Sequence, residues 1–365
     1  MENRIYEYLS VFIMSWLLVY GLTPFIMKLA LWTNVVDKPQ GRKSHAKVTP
    51  LMGGLSVFIG FFLLCIYDVA ISAGRYFDLP MVGYLAGSLL IMLIGLWDDK
   101  WPMNPYVKML GQVVVSLIFI FSNFTMNELN LMVGNAYISI FLMLLWMVGL
   151  MNALNFLDNM DGLLSGMAGI LGLGFFAFSL TSTTQTNQEA MALIGLISLS
   201  FSGSVLGFLP YNFNPAKIFL GDAGSMFIGY FLSSMGILMA RLAGNRYNDK
   251  LFFLMPVLLL SFAIFDIVFV SYTRHRDGRH VMQGGQDHTT HRIRNVLKSV
   301  KLTALIVYAI NVLIVLTSII VFIIGSRELL LATTALFVSF FLFFGYKLDQ
   351  VPVVIYPNQK KENSR

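Results

Sequence analysis

The stretch PMVGYLAGSLLIMLIGLWDD, residues 80–99, runs from Pro80 to Trp97 without a charge and then ends on two adjacent carboxylates. Its length is close to the roughly 20 apolar residues that an α-helix needs to cross a bilayer. Asp98 and Asp99 repel each other at the helix end, which does nothing for helix stability and calls for a cation nearby. Similar apolar runs fall at about 9–31, 51–72, 106–124, 136–154, 163–181, 189–209, 224–242, 251–273, 302–324 and 328–347. With the quoted run, spanning 80–97, they make eleven predicted spans.

Composition agrees with that reading. The chain of 365 residues is 57% hydrophobic and only 12% charged, and its mean hydropathy is +0.72, which excludes an ordinary soluble domain. The predicted fold is an all-α polytopic integral membrane protein, one domain over 1–365 with a polar cytoplasmic tail at 348–365. The lone Cys65 lies inside an apolar run, so no intrachain disulfide forms. The first apolar run has Glu2, Arg4 and Glu7 before it and no small-residue cleavage site after it, and reads as a retained helix.

Five polar clusters interrupt the apolar pattern: Asp37 to Pro50, Asp98–Asp99, Asn152 to Asp161, Asp222, and Arg274 to Lys301. An even number of spans separates each from the next, so all five are predicted on one side of the membrane. Lys and Arg say which side. Nineteen fall at that side or at the helix ends nearest it, against Arg4, Arg75, Arg241, Arg246, Lys250 and Arg327 on the other. The bias predicts an outside N-terminus, a cytoplasmic C-terminus and a site facing the cytoplasm.

Charged groups near a bilayer are costly unless they line a wet cavity or serve function, so carboxylates gathered beside basic loops point to one composite site. Asn155, Asp158 and Asp161 in NALNFLDNMDGLLSG are spaced by three, which puts them on one face if the turn is helical, although Asn and Asp also cap helices. Asp222 in FLGDAGSM likewise could cap the next helix. Oxygen ligands at this density favour a hard cation, and few carboxylates plus phosphate oxygens is how Mg2+ is usually held. Phosphate-binding GxxxxGK[ST], Rossmann and GxSxG patterns are absent from the sequence, which leaves phosphoryl transfer at a membrane surface. The loop RHRDGRHVMQGGQDHTTHRIRN, 274–295, interleaves cations with histidines and glycines as a folded, ligand-approaching element would. His288 and His291 share a face if helical; zinc is the lesser reading, because no Cys lies near them.

The ordered segments DKPQGRKSHAKVTPLMGG (37–54), DDKWPMNPYVK (98–108), NALNFLDNMDGL (152–163), FLGDAGSM (219–226) and GGQDHTTHR (284–292) resemble the motifs of the polyprenyl-phosphate N-acetylhexosamine-1-phosphate transferases, the WecA- and TagO-like enzymes, and more distantly the MraY translocases. The resemblance implies transfer of a sugar 1-phosphate from a UDP-N-acetylhexosamine to a polyprenyl phosphate such as undecaprenyl phosphate, with release of UMP and dependence on Mg2+. It places the metal at Asp222, with Asn155 as a neutral second ligand. It gives Lys108 the lipid phosphate, Phe219 the uracil, and His288, His291, Arg292 and His45 the donor. Asp98, Asp99, Asp158 and Asp161 become catalytic or metal-organising. Thr290 stands where relatives often carry the first of two adjacent histidines, and the HHHxE-like run of MraY is absent, which favours a small donor sugar such as GlcNAc. The implied setting is the cytoplasmic membrane, at the first membrane step of cell-envelope glycan synthesis. The partners are membrane lipid and substrates rather than nucleic acid, and a homodimer is compatible with the sequence. The alternative is a secondary transporter or ion channel, for which Asp266, inside the ninth span, is the candidate residue.

Overall fold

In the computed structural model, which describes residues 2–37, 48–71, 78–181, 188–280 and 285–353, helices carry almost everything. In chain order they are α1 (Glu2–Trp32), α2 (Gly53–Ile71), α3 (Leu79–Lys100), α4 (Pro105–Asn123), α5 (Met126–Val133), α6 (Ala136–Leu157), α7 (Leu163–Ser179), α8 (Gln188–Asn212), α9 (Gly221–Tyr247), α10 (Met255–Leu259), α11 (Ser261–Arg276), α12 (Thr289–Leu297), α13 (Val300–Ile324) and α14 (Arg327–Asp349). Between α1 and α2 a short antiparallel ribbon pairs β1 (Val36–Asp37) with β2 (Thr49–Pro50).

All eleven predicted apolar runs are helical, and among the described residues eight helices are long and apolar enough to cross a membrane. The protein is therefore a polytopic membrane protein. The other three runs behave differently. The apolar parts of α2 (Gly53–Tyr67) and α7 are shorter, and the stretch predicted as one span at 251–273 is bent by 75° between α10 and α11. The break falls at Leu260, whose backbone leaves helical geometry, four residues after Pro256 in the first turn of α10. Two short helices lay outside the span pattern. Of these, α5 carries a complete capping box between Thr125 and Glu128.

The bundle is organised around α9, whose apolar window is 83% buried, while α14 is 17% buried and turns Leu336, Leu342 and Phe343 outward. Neighbouring helices reach α9 through glycines. A Cβ on Gly54 (α2) would lie 2.2 Å from the Gly224 backbone, one on Gly95 (α3) 2.3 Å from Ala223 Cα, and one on Gly229 (α9) 2.6 Å from Met151 Cα of α6. Small residues of this kind let membrane helices approach backbone to backbone. The close approach at Gly95 brings the last turn of α3 beside the first turn of α9, which is where the acidic residues sit.

Two further devices shape that end of the bundle. A four-residue connection, with Asn104 capping α4 and Pro105 in its first turn, turns α3 back into α4, so that Asp98 and Lys108 become neighbours. The segment at Pro50 is stitched to the one before α9 by three hydrogen bonds: Phe219 N–H to Pro50 O, Gly53 N–H to Phe219 O, and Gly54 N–H to Leu220 O.

The glycine contacts give a direct test. Gly95→Val forces side-chain atoms into the α9 backbone and should destabilise the protein by about 1–3 kcal/mol or more. Gly149→Ala, at a helical position with nothing within 4 Å of its Cβ, should be neutral or slightly stabilising. Thermal unfolding of both purified variants in detergent checks the contrast.

Candidate active site

Lys108 is the hinge of the site. Its Nζ lies 2.8 Å from Asp98 Oδ2 and 3.1 Å from Asp222 Oδ2, so one ammonium joins the starts of α4 and α9 to the end of α3. Asp98 also accepts the Met103 N–H at 2.7 Å, which fixes the α3–α4 turn. The second oxygen of Asp222 accepts Asn155 Nδ2 at 2.6 Å, and Asn155 is itself held by Ser225 Oγ at 2.8 Å. One turn deeper, the buried Gln112 and Asn152 amides bond each other and tie α4 to α6 directly beneath Lys108 and Asn155.

Asp99 does something else. Its two oxygens accept the backbone N–H of Asp222 (2.7 Å) and of Ala223 (3.1 Å), so it caps α9 from a neighbouring helix. The helix has no side-chain cap of its own, and Asp222 sits in its first turn rather than before it. Gly221, with φ of +77°, leads in; a Cβ there would meet Leu51 O at 2.3 Å and Asp99 Oδ2 at 2.6 Å.

The predicted shared helical face for Asn155, Asp158 and Asp161 does not form, because α6 stops at Leu157 and Asp158 is its C-cap. The turn that follows, with Gly162 at φ +72°, sends the side chains apart. Asp161 accepts Asn214 Nδ2 (2.7 Å) and Ala216 N–H (3.0 Å), holding the segment before α9. The Asp158 carboxyl has no hydrogen-bond partner among the described residues. Burial, with smaller pushes from Asp222 and Asp161, raises its pKa to about 8, so it holds a proton at neutral pH.

The histidine segment divides its labour in a way the spacing did not foretell. His288 precedes α12 and is tied by Nδ1 to Asp266 Oδ2 at 2.8 Å, while Asp266 Oδ1 accepts the Thr289 N–H at 2.9 Å. Asp266, the residue a transport reading needs on an ion path, is 1% exposed and committed to this anchor. Arg292, predicted to meet the donor, points the other way. Its guanidinium donates to the carbonyls of Leu348 (3.0 Å), Asp349 (3.4 Å) and Val351 (3.2 Å) and caps the end of α14. Asp287, pressed upward by burial, is held well below the usual carboxylate range by Arg274 and Arg279, which clamp it on both sides. His291 faces the acidic residues, with Nδ1 buried and unbonded. Burial, helped by His288 and Arg294, lowers its pKa to about 4, so it is neutral at pH 7.

These residues enclose a cavity of about 620 Å³. All five polar clusters of the sequence reach it, through Asp37, Asp98 and Asp99, Asn155 to Asp161, Asp222, and Gln286 with His291 and Arg294. Phe219 lines it as well. His288 and Arg292 do not, Lys108 sits behind the Asp98 and Asp222 carboxylates rather than on the wall, and His45 lies outside the described residues. Sequence reasoning missed Arg294, although its spacing of three from His291 on a helix would have put both on one face. It also missed the bond from Thr290 Oγ1 to Asn159 Oδ1 at 2.8 Å, which joins the histidine segment to the acidic turn.

The donor chemistry fits a hard divalent cation, being all carboxylate and amide oxygen. No group of three or more acidic, histidine or cysteine side chains converges as a ready-made cage among the described residues. Mg2+ as a rule takes one or two carboxylates and completes its shell with water and phosphate. Fold and site together define a membrane-embedded enzyme of anionic, phosphate-bearing substrates.

A family model described as glycosyl transferase family 4 matches residues 81–240. Over 351 residues the chain is 29% identical to a probable undecaprenyl-phosphate N-acetylglucosaminyl 1-phosphate transferase of Bacillus subtilis (strain 168), covering 94% of this chain and 90% of that protein. It is 31% identical over 310 residues to a decaprenyl-phosphate N-acetylglucosaminephosphotransferase of Mycobacterium tuberculosis (strain ATCC 25618 / H37Rv), covering 80% and 77%. A phospho-N-acetylmuramoyl-pentapeptide-transferase of Gloeothece citriformis is 30% identical over 278 residues, covering 72% of each chain. The chain belongs to this family of polyprenyl-phosphate aminosugar-phosphate transferases and is a phosphoglycosyltransferase.

Two carboxylates of the site have opposite effects on stability. Asp99→Asn replaces one of the two oxygens that accept the α9 N–H groups by an amide NH2 and should cost about 1–2 kcal/mol. Asp158 has a folded pKa near 8 against about 3.9 unfolded, so its ionisation erodes stability as pH rises through that window. Asp158→Asn should therefore gain stability on the parent at pH 8.5 and lose that advantage toward pH 4.5, in unfolding temperatures measured across pH.

Proposed function

We propose that the protein transfers N-acetylglucosamine 1-phosphate from UDP-N-acetylglucosamine to undecaprenyl phosphate, releasing UMP, in an Mg2+-dependent reaction. The reading puts eleven spans in the cytoplasmic membrane, the N-terminus outside, and the cavity at the cytoplasmic face. The product would be the lipid diphosphate sugar that begins a cell-envelope glycan. The observation that carries it is Lys108 held between Asp98 and Asp222, two carboxylates that line an oxygen-rich cavity at the ends of apolar helices. The named substrates of the relatives, undecaprenyl and decaprenyl phosphate and N-acetylglucosamine phosphate, support the acceptor and the sugar.

The chemistry follows from two anions having to meet. An oxygen of the lipid phosphate attacks the β-phosphorus of the donor; the bond from that phosphorus to the bridging oxygen breaks, and UMP leaves with the electron pair. A phosphate monoester has its second pKa near about 6, so at neutral pH the nucleophile is already mostly dianionic and no carboxylate has to deprotonate it. Direct in-line attack is therefore the simplest course, without an aspartyl-phosphate intermediate. Lys108 meets the incoming lipid phosphate by exchanging one carboxylate for a phosphate oxygen, while Asp98 keeps the ammonium in place. Asn155 orients Asp222, and Asp99 fixes the helix that carries it. When bound at Asp222, with Asn155 as a neutral ligand, Mg2+ supplies positive charge against the donor diphosphate and the departing UMP. Phe219 offers an aromatic face for uracil on the cavity wall.

Asp158 adds a proton to this scheme. A carboxyl that is protonated below about 8 without a cation must release its proton when positive charge enters the cavity. Below pH 8 the apparent Mg2+ affinity should weaken as pH falls, by up to about tenfold per unit, and this dependence should flatten in Asp158→Asn. The decisive assay combines purified protein, undecaprenyl phosphate and radiolabelled UDP-sugars. Label should enter the lipid from UDP-N-acetylglucosamine with Mg2+, vanish with EDTA, and fall by roughly a hundredfold or more in Asp222→Asn and Lys108→Gln. No lipid labelling from any UDP-sugar by the folded parent would sink the proposal.

A further inference from the structure

We infer that Arg294 is a donor-binding residue whose guanidinium takes the diphosphate of the nucleotide sugar, an inference that rests on the transferase reading above. The cavity is crowded with negative charge: Asp37, Asp98, Asp99, Asp158, Asp161 and Asp222 all line it. An anionic donor entering such a space needs a cation that is not already spent. Lys108 is bound to Asp98 and Asp222. Among the described residues, Arg294 is the cation on the cavity wall, and its guanidinium makes no ion pair or hydrogen bond. It is half-buried, where a charge-assisted bond to phosphate is stronger than in open water.

The geometry of α12 explains why this side chain is presented and Arg292 is not. Three sets of ties fix the rotation of the helix. Its N-terminus is bound to Asp266 through His288 and Thr289, and Thr290 is bound to Asn159. On the opposite side Arg292 holds the last carbonyls of α14 and Asn295 Nδ2 holds Pro352 O at 2.9 Å. With that face occupied, the face one turn long that carries His291 and Arg294 is left to the cavity. The two residues then split the work. His291, neutral, lines the wall beside the donor without adding charge, and Arg294 supplies the charge and the planar fork that suits phosphate oxygens.

The bland alternative is that Arg294 is one more cytoplasmic cation resting on anionic lipid. Lys301, exposed at the start of α13, is the control for it. UDP affinity measured by calorimetry on monodisperse protein, together with donor and acceptor KM, separates the two readings. Arg294→Ala should raise the UDP Kd and the donor KM about ten- to a hundredfold, leave the acceptor KM within twofold, and leave inhibition by uridine, which has no phosphate, unchanged. Arg294→Lys, which keeps charge without the fork, should fall between, guarding against a folding defect in the alanine variant. An unchanged UDP Kd in folded Arg294→Ala, a rise confined to the acceptor KM, or the same small effect in Lys301→Ala and Arg294→Ala would overturn the assignment. A parent that neither binds UDP nor transfers sugar phosphate fails the transferase reading itself, and this inference with it.

Discussion

The bond on which the rest depends is the one from Asp99 to the first turn of α9. A helix that begins inside a membrane protein leaves backbone N–H groups without partners, and water is scarce there to satisfy them. Asp99 reaches across from α3 and takes two of them. The helix so anchored is the most buried of the eight long apolar ones, and its second residue is Asp222. The position of the central acid relative to Lys108 is thus set by a carboxylate that need not touch substrate at all. This also accounts for two adjacent aspartates at one helix end. Successive residues on a helix point about 100° apart, so Asp98 faces the Lys108 ammonium while Asp99 faces the positive end of the α9 dipole. Each has its own set of donors, Lys108 and Met103 N–H for Asp98 and the α9 N–H groups for Asp99.

How much of this the sequence discloses depends on the range of the interaction. Hydropathy is summed over some twenty residues, so the helices announce themselves, and the polar clusters that interrupt them do meet at one cavity. What stays hidden is direction. Asp98 and Asp99 read alike, as do Arg292 and Arg294, since residue type carries no information about which neighbour lies across a tertiary contact. The bend at Leu260 is equally silent, because an apolar residue leaving helical geometry has the same hydropathy as one that stays. Asp266 is the most instructive case. A lone carboxylate inside a span is a fair flag for an ion path, but a buried acid can equally be an anchor, and only the His288 ring 2.8 Å away decides between them.

The polar residues of the chain fall into two groups that differ in how fully they are paired. Asp99, Asp161, Asp266, Asp287, Arg274, Arg279 and Arg292 have partners for their charges and serve as fasteners between helix ends and loops. A buried charge with every lone pair engaged is poor at binding anything further, because a ligand would have to displace a bond already made in a low dielectric. On the cavity wall, Asp158, His291 and Arg294 differ from these fasteners. They combine burial with an unmet partner, a state that is unfavourable in the empty protein.

Those three residues sit on different walls of one cavity, on the turn after α6 and on α12. They also carry three different characters at neutral pH: a protonated acid poised to lose its proton, a neutral imidazole and a permanent cation. A single anion would satisfy only the last of them, and a lone metal ion only the first. On the proposed reading, a ligand that brought both a divalent cation and a diphosphate would satisfy the first and the last together, and the unfavourable terms of these unpaired groups would become affinity for it. The fasteners make this effective. Because α12 is tied at its N-terminus, to the acidic turn, and to the end of α14, the exposed side of that helix cannot rotate to find a partner of its own, and its unmet groups wait for one that arrives from outside.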